Sequence, residues 1–230
     1  MSTGLLVQGG GPFALAVILI SAAATSSTAL DSAVAGTQTS SAGARAPAPQ
    51  SDEDDYTRYE LLAPETAQFR IYYDVTATTA GARFYFNPIR KGSEASNEAV
   101  FDRATGAPLR FEEVDGAAAR ADGHPTADLD TRYIKVHLAR PVPAGGGARI
   151  LIDKTYKDPK SYYRDGDQIV FSRSLGIRRN AVVLPAGYEL TACNMPSQIL
   201  KTPDGRIMIS FINAQPGAVA LVVKARKPSS

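Results

Sequence analysis

The sequence predicts an all-β protein whose folded part is an antiparallel β-sandwich of about a dozen short strands. Three observations predict this fold. Apolar and polar residues alternate with a period of two in many short segments after residue 67. Turn-forming residues, mostly Gly, Pro and Asp, separate these segments. Only residues 116–122 have the composition of a helix, and no internal repeat indicates a propeller or a solenoid.

The N-terminal stretch predicts export. An apolar run extends from residue 12 to about residue 24, which is shorter than the roughly 20 residues of a membrane span and typical of a signal peptide. The small residues Ala33, Val34 and Ala35 form a cleavage site before Gly36. We therefore expect residues 1–35 to be a signal peptide, with Sec-type cleavage near Ala35, no stable transmembrane span, and a final location in the periplasm, at the cell surface or outside the cell.

One feature of this leader is unusual, because residues 1–11 contain no Lys or Arg. Either the signal is atypical or the protein starts at another position, and a short membrane anchor is the alternative interpretation.

Residues 36–55 are predicted to be a disordered linker. Thr, Ser, Ala, Gly and Pro dominate this stretch, and an acidic cluster at residues 51–55 ends it. Such a composition cannot bury enough apolar surface to offset the entropy lost on ordering. The sandwich domain is then expected at residues 56–227.

The strands can be assigned in order from the alternation. In residues 68–78, Phe69, Ile71 and Val75 fall on one face of the strand and Arg70 and Tyr72 on the other. Residues 133–138 and 149–156 repeat this pattern. Further strands are predicted at residues 83–86, 99–102, 109–113, 168–172, 181–184, 189–193, 199–202, 206–213 and 218–225.

Charge and motifs count against several functions. The net charge is only +2, and acids are interspersed with bases, so we expect no nucleic-acid partner. The chain has no HExxH motif, paired histidines or cysteine cluster, and no GxSxG, Walker or GxGxxG motif. We therefore expect no metal, no cofactor and no catalytic residues, although an enzyme is not excluded. The lone cysteine, Cys193, is expected to be a buried structural thiol.

Residues 153–180 form the densest polar segment of the chain, and they contain the candidate binding residues. Tyrosine and arginine are favoured at binding surfaces because each offers a large rigid face with a polar tip. The alternative is a long solvated hairpin loop whose charges pair locally. The candidates are Tyr156, Tyr162, Tyr163, Arg164, Arg173, Arg178 and Arg179.

The C-terminal part of the chain carries a family resemblance. Residues 180–190 contain a proline and a glycine in a strand-like stretch, Cys193 and Asn194 follow, and residues 202–206 form a polar hairpin before Ser210 and Phe211. This order resembles the end of the N-terminal β-domain of M1-family (aminopeptidase N-like) metallopeptidases, and residues 138–156 are similar to another segment of that domain. The domain also resembles exported bacterial β-sandwich proteins of unknown function.

The resemblance implies a β-domain without a catalytic domain. In the M1 family the zinc-binding and exopeptidase motifs lie in the domain that follows, so no catalytic residue is carried over to this chain.

The leading functional hypothesis is a non-catalytic interaction module outside the cytoplasm. Its partner would be another envelope or extracellular protein, for example a peptidase or another envelope assembly. On this hypothesis, the double substitution Arg178→Ala with Arg179→Ala leaves the fold intact and weakens partner binding. One alternative is a glycan-binding or glycan-active domain that uses the same tyrosines as stacking platforms, although the absence of Trp counts against it. The other is a structural envelope protein, which exposed apolar sheet edges would favour.

Overall fold

The computed structural model describes residues 54–228. Strands make up 51% of them and helices 6%, which confirms the all-β prediction. The strands are β1 (Tyr56–Leu61), β2 (Gln68–Ala77), β3 (Phe84–Pro88), β4 (Glu94–Asp102), β5 (Phe111–Val114), β6 (Tyr133–His137), β7 (Ala148–Lys157), β8 (Tyr162–Asp165), β9 (Gln168–Leu175), β10 (Arg179–Val183), β11 (Glu189–Cys193), β12 (Gln198–Lys201), β13 (Ile207–Ile212) and β14 (Val219–Arg226). The single α-helix of the described residues is α1 (Gly116–Ala121), where the sequence predicts it.

The strands form three sheets. The largest has seven strands in the order β12-β13-β10-β1-β2-β7-β4, the second has the order β11-β14-β9-β8, and the smallest has the order β3-β6-β5. All neighbouring pairs are antiparallel except β1 and β10, which are parallel. The predicted antiparallel sandwich is therefore correct apart from this one pair, whose strands are too far apart in sequence for a hairpin to set their direction.

Aromatic rings join the large sheet to the four-stranded sheet. Phe171 on β9 is fully buried, and its ring centroid lies 5.2 Å from that of Phe69 on β2 and 5.4 Å from that of Tyr59 on β1. Phe69 and Tyr59 also meet edge to face, with centroids 6.1 Å apart. Burial of each such ring contributes about 1.5–3 kcal/mol, so this cluster is a main source of cohesion between the two sheets.

Strands β1 and β8 are absent from the sequence-based assignment. In β1, Thr57, Tyr59 and Leu61 are buried while the residues between them are partly exposed, so the strand does alternate. The signal is weak because Thr57 is polar and β1 has only six residues. Strand β8 has four residues and one buried side chain, Tyr162, which leaves almost no periodic pattern to detect.

The start of the described chain is attached to the sandwich. Asp55 is buried, and its carboxylate accepts a hydrogen bond of 2.9 Å from the backbone N–H of Thr76. The predicted linker therefore meets the fold at its last two residues, Asp54 and Asp55. The predicted signal peptide and residues 36–53 lie outside the described residues. Within residues 54–228, no helix is long and apolar enough to cross a membrane.

Helix α1 packs against the loop that leads into β6. The side chain of Asp115 caps the helix by accepting a hydrogen bond of 2.8 Å from the backbone N–H of Ala118. The first helical residue, Gly116, is buried, and a Cβ atom placed there would lie 2.1 Å from the carbonyl oxygen of Asp128 and 2.6 Å from the Cα of Leu129. Both atoms belong to the backbone, so the neighbour cannot rotate away.

The substitution Gly116→Ala is therefore expected to destabilise the domain by about 2 kcal/mol or more, because it overpacks a backbone contact. Urea unfolding followed by circular dichroism would measure this change. Gly176→Ala is the matched control, since no atom lies within 4 Å of a Cβ placed there. Equal stability of the two variants would contradict this interpretation.

Candidate functional site

The polar segment 153–180 is not a surface loop. It contains the end of β7, all of β8 and β9, and the start of β10, so the alternative prediction of a long solvated hairpin loop is wrong. Alternation along these strands turns part of the polar set inward. Of the seven candidate residues, Tyr156 and Tyr162 are 2% and 0% exposed, and Arg173 is 9% exposed. Their burial prevents these three side chains from contacting a partner in this conformation.

The two buried tyrosines bond to the protein itself. The hydroxyl of Tyr162 donates a hydrogen bond of 2.9 Å to the carbonyl oxygen of Leu62, and burial raises the pKa of Tyr162 well above its ordinary value. The hydroxyl of Tyr156 accepts a hydrogen bond of 3.1 Å from Lys154 Nζ. Burial likewise raises the pKa of Tyr156. Both tyrosines are therefore part of the interior.

Arg173 is also part of the interior. Its guanidinium lies 3.1 Å from the carboxylate of Asp158, and both side chains are less than a tenth exposed. The same guanidinium lies 5.4 Å from the ring centroids of Phe69 and Tyr156, within the range of cation–π attraction. Burial lowers the pKa of Arg173, but the guanidinium stays charged because its ordinary value is so high. Arg173 thus serves as a buried cation that several aromatic rings and one carboxylate surround.

The four remaining candidates do not share one surface. Tyr163 is 40% exposed on edge strand β8, and Arg164 next to it donates a hydrogen bond of 3.5 Å to the hydroxyl of Tyr188. Arg178 lies in the turn before β10, and Arg179 bonds to the carbonyl oxygens of Asp54 and Asp55. Arg179 therefore holds the chain that enters β1.

Arg164 and Arg178 lie at opposite ends of the sandwich. Arg164 lines a small hollow together with Leu61, at the end of β1, whereas Arg178 lines a larger cleft together with Asp55, just before β1 begins. Six residues of extended chain separate these two ends by about 20 Å. The predicted single recognition surface is therefore not assembled by the fold.

The larger of these two concavities is an open cleft with a volume of about 1160 Å³. The end of β2, strand β3, the loop after α1, and the turns that follow β9 and β13 form its walls. Its lining residues include Asp55, residues 76–86, residues 122–124, residues 176–178 and residues 213–217. We refer to it as the end cleft.

One wall of the end cleft is aromatic and carries a cation. Phe84 and Phe86 lie two residues apart on β3, and the imidazole of His124 stacks on Phe86 with ring centroids 5.5 Å apart. Arg83 precedes them, is exposed, and makes no side-chain hydrogen bond or ion pair with the described part of the chain. Arg178 supplies a second guanidinium to the lining, while Asp122 is engaged by Lys135 at 2.7 Å.

Strand β3 also offers backbone groups to the cleft. Within residues 54–228 it is an edge strand, and its one paired neighbour is β6. Because the carbonyl of Arg83 accepts from the N–H of Leu138, alternation of the antiparallel ladder turns the backbone groups of Phe84 and Phe86 toward the open edge. The wall therefore combines a free strand edge with aromatic side chains.

A second polar cluster lies on the small sheet. His137 contacts Arg110 at Nδ1 (2.8 Å) and Glu112 at Nε2 (3.1 Å). Arginine can only donate, so Nδ1 accepts and Nε2 carries the proton that is donated to Glu112. Lys135 lies 3.0 Å from the same carboxylate. Each member of the cluster is thus already engaged by its neighbours. Residues 54–228 contain no group of three or more His, Cys, Asp or Glu side chains that could hold a metal ion.

The sequence did not single out the residues of the aromatic wall. Residues 83–86 are predicted correctly as a strand, and the placement of Phe84 and Phe86 on one face follows from that prediction. The missing information is that β3 is an edge strand, which depends on pairing with β6 about 50 residues later.

Comparison with known proteins gives a partial structural match. No family model matches the chain, and no curated protein matches it. An aminopeptidase N family protein from Idiomarina loihiensis matches with 10% identity and a TM-score of 0.44, over 74% of this chain and 29% of its own. An M1 zinc metallopeptidase from Deinococcus radiodurans matches with 11% identity and a TM-score of 0.47, over 75% of this chain and 41% of its own.

These matches fall on the N-terminal domain of the M1 aminopeptidase N family, so the resemblance predicted from the sequence is found again as a partial-domain match. This chain spans 29% to 41% of the length of the matched chains.

Proposed function

We propose that this protein is an interaction module that binds an extended segment of another protein in the end cleft. The free edge of β3, with its aromatic side chains and the neighbouring guanidinium of Arg83, is the observation that carries the proposal. We place the partner outside the cytoplasm, in an envelope or extracellular assembly. This placement is based only on the sequence pattern of the N-terminal leader.

The edge strand supports this proposal because unpaired backbone groups are a template for strand addition. A peptide that pairs with β3 gains main-chain hydrogen bonds from Phe84 and Phe86, whose backbone groups face outward. Aromatic rings on the same strand add apolar contact area. Arg83 favours a segment that carries a carboxylate at the matching position, since a guanidinium and a carboxylate form strong paired hydrogen bonds.

The alternative functions have less support. The glycan hypothesis relied on a groove lined by Tyr156, Tyr162 and Tyr163, and the first two are buried. The structural hypothesis relied on exposed apolar edges. Ile199 on edge strand β12 is 48% exposed and Ile212 on β13 is 61% exposed. Ile199 is paired with the buried Ile209, which places it on the opposite face of the sheet from Ile212. They are thus two single exposed side chains rather than one patch, and single exposures are ordinary.

Selection of random displayed peptides against the full chain would test the proposal. Peptides that are enriched should bind wild-type protein at least tenfold more tightly than the variant Arg83→Ala with Arg178→Ala, because two guanidinium groups of the cleft are lost. Arg226→Ala, an exposed arginine at the end of β14, is the control and should leave the affinity unchanged.

A second pair of variants separates backbone pairing from side-chain contact. Phe84→Ala removes a ring, whereas Phe84→Pro also removes an N–H group that faces the open edge and is tolerated on edge strands. We expect the proline variant to bind the selected peptides more weakly than the alanine variant. No enrichment of any peptide, or equal binding by wild type and the arginine variant, would contradict the proposed function.

A further inference from the structure

A lysine and an asparagine from two different sheets meet in the interior. Lys154 on β7 is 4% exposed and Asn87 on β3 is 5% exposed. Lys154 Nζ donates a hydrogen bond to Asn87 Oδ1. The carboxamide carbon of Asn87 lies one carbonyl bond, about 1.2 Å, beyond that oxygen. An amine is therefore held next to an amide carbon, where bulk water has little access.

A carboxylic acid lies on the same face. The ladder between β4 and β7 has a bulge, in which Asn97 and Glu98 both stand opposite Lys154. Asn97 has a positive φ of 55°, and Val100, two residues after Glu98, is buried. Because strand side chains alternate, Glu98 points to the same face as Val100 and Lys154. The charge of Glu98 acts to raise the pKa of both Lys154 and Tyr156, which agrees with this placement.

The interior favours the reactive form of the amine. Burial, and after it the positive charge of Arg173, lower the pKa of Lys154 to about 7, while the charge of Glu98 acts in the opposite direction. A neutral amine is a nucleophile, whereas an ammonium ion is not. Proximity and orientation are then supplied by the fold itself, which is how intramolecular reactions gain their large rate advantage.

We propose that Lys154 and Asn87 form an intramolecular isopeptide bond, which covalently joins the seven-stranded sheet to the small sheet. The Nζ atom of Lys154 attacks the carboxamide carbon of Asn87, and a new Nζ–C bond forms. The bond from that carbon to Asn87 Nδ2 breaks, and one molecule of ammonia leaves. The carboxyl group of Glu98 accepts a proton from the attacking nitrogen and returns it to the leaving nitrogen, so that no other reactant is consumed.

Two neighbours make this pairing specific. Asn87 is followed by Pro88, which has no backbone N–H, so the common cyclisation of asparagine onto the next residue cannot compete. Lys135, the other buried lysine of the described residues, is paired with the carboxylates of Asp122 and Glu112 instead of a carboxamide. Lys135 therefore serves as an internal control in the same molecule.

The mass of the unfolded full chain tests the proposal. We expect wild-type protein to lack the mass of one ammonia molecule relative to the Lys154→Arg variant, after correction for the substitution. Digestion with trypsin should yield a branched peptide that joins the segments around residues 87 and 154, while the segment around Lys135 stays linear. A wild-type chain of full mass, with residue 154 in a linear peptide, overturns the proposal.

The variant Glu98→Gln keeps the result interpretable, because it preserves the shape of the side chain and the fold. We expect it to retain the full mass and to melt about 10 °C or more below wild type, since the cross-link closes a long loop of the unfolded chain. Complete cross-linking in Glu98→Gln overturns the role assigned to Glu98. The double variant Asn87→Ala with Glu98→Gln should have the full mass calculated from its sequence, with no loss of ammonia. A branched peptide in that variant overturns the assignment of Asn87.

Discussion

Replacing Asp158 with alanine is expected to destabilise the domain by about 3–5 kcal/mol, because it leaves the guanidinium of Arg173 buried without its carboxylate. The loss has a second component. The carboxylate of Asp158 accepts hydrogen bonds from the backbone N–H and the hydroxyl of Ser161, at 3.1 Å and 2.7 Å, and from the hydroxyl of Ser93 at 3.1 Å. Urea unfolding of wild type and variant would measure the change.

A double-mutant cycle separates the pair from its surroundings. Arg173→Met combined with Asp158→Ala should be less destabilising than the sum of the single substitutions, since a buried charge is no longer left alone. The exposed pair of Lys157 and Glu94, with 3.9 Å between nitrogen and oxygen, is the control, and Glu94→Ala should cost less than about 0.5 kcal/mol. Strictly additive effects at Asp158 and Arg173 would contradict a coupled pair.

The pH dependence of stability gives an independent measurement of this site. Burial acts to raise the pKa of Asp158, but hydrogen bonds from Ser161 and Ser93 and the charge of Arg173 hold it below its usual 3.8 in the folded state. A depressed folded-state pKa means that the unfolded chain binds the proton first. The carboxylate therefore stabilises the domain above about pH 4, and this contribution is lost as the pH falls through the folded pKa. Asp158→Asn should remove this part of the acid sensitivity.

Tyr162→Ala is expected to destabilise the domain by about 3–5 kcal/mol, whereas Tyr163→Ala should change stability by less than about 0.5 kcal/mol. The two tyrosines are adjacent on β8 but point to opposite faces. Tyr162 is fully buried and its hydroxyl bonds to Leu62, while Tyr163 is 40% exposed. Thermal unfolding of the three proteins would measure the difference.

The same pair separates a structural role from a binding role. Tyr162→Phe keeps the ring and removes only the hydrogen bond. We therefore expect its free energy of unfolding to fall by about 1 kcal/mol, well below the loss expected for Tyr162→Ala. If Tyr163→Ala proved as destabilising as Tyr162→Ala, the assigned faces of β8 would be wrong. Retained folding in Tyr163→Ala also makes it a usable control in any binding measurement.

Local sequence patterns predicted most of the strands because alternation is a local property. Residues 68–77 in β2 and residues 148–157 in β7 each carry a clear period of two, and the turns between strands are rich in glycine and proline. The helix at Gly116 was predicted from its alanine content. The two strands that were missed, β1 and β8, are short. Strand β1 carries a polar residue on its buried face, and β8 has only one buried side chain.

The candidate site could not be predicted in the same way, because burial depends on which sheets face each other. Arginine is a residue type that is favoured at binding surfaces. Nothing near Arg173 in the sequence shows that Asp158 and the ring of Phe69 will enclose it. Tyr156 is likewise buried among residues that are distant in the sequence, including Phe69 on β2 and Arg173 on β9. The wall of the end cleft was missed for the opposite reason, since Phe84 and Phe86 look like ordinary strand residues until β3 is known to be an edge.

The parallel pairing of β1 with β10 has a consequence for the order of assembly. Strand β1 is complete at Leu61, but its partner begins at Arg179, more than 100 residues later in the chain. The centre of the seven-stranded sheet therefore cannot close until most of the domain has been synthesised, and contacts of such long sequence separation fold slowly. Until then, β2 is the one available partner of the two neighbours that β1 has in the sheet. A chain of this topology stays open for longer during its synthesis than one built from hairpins alone.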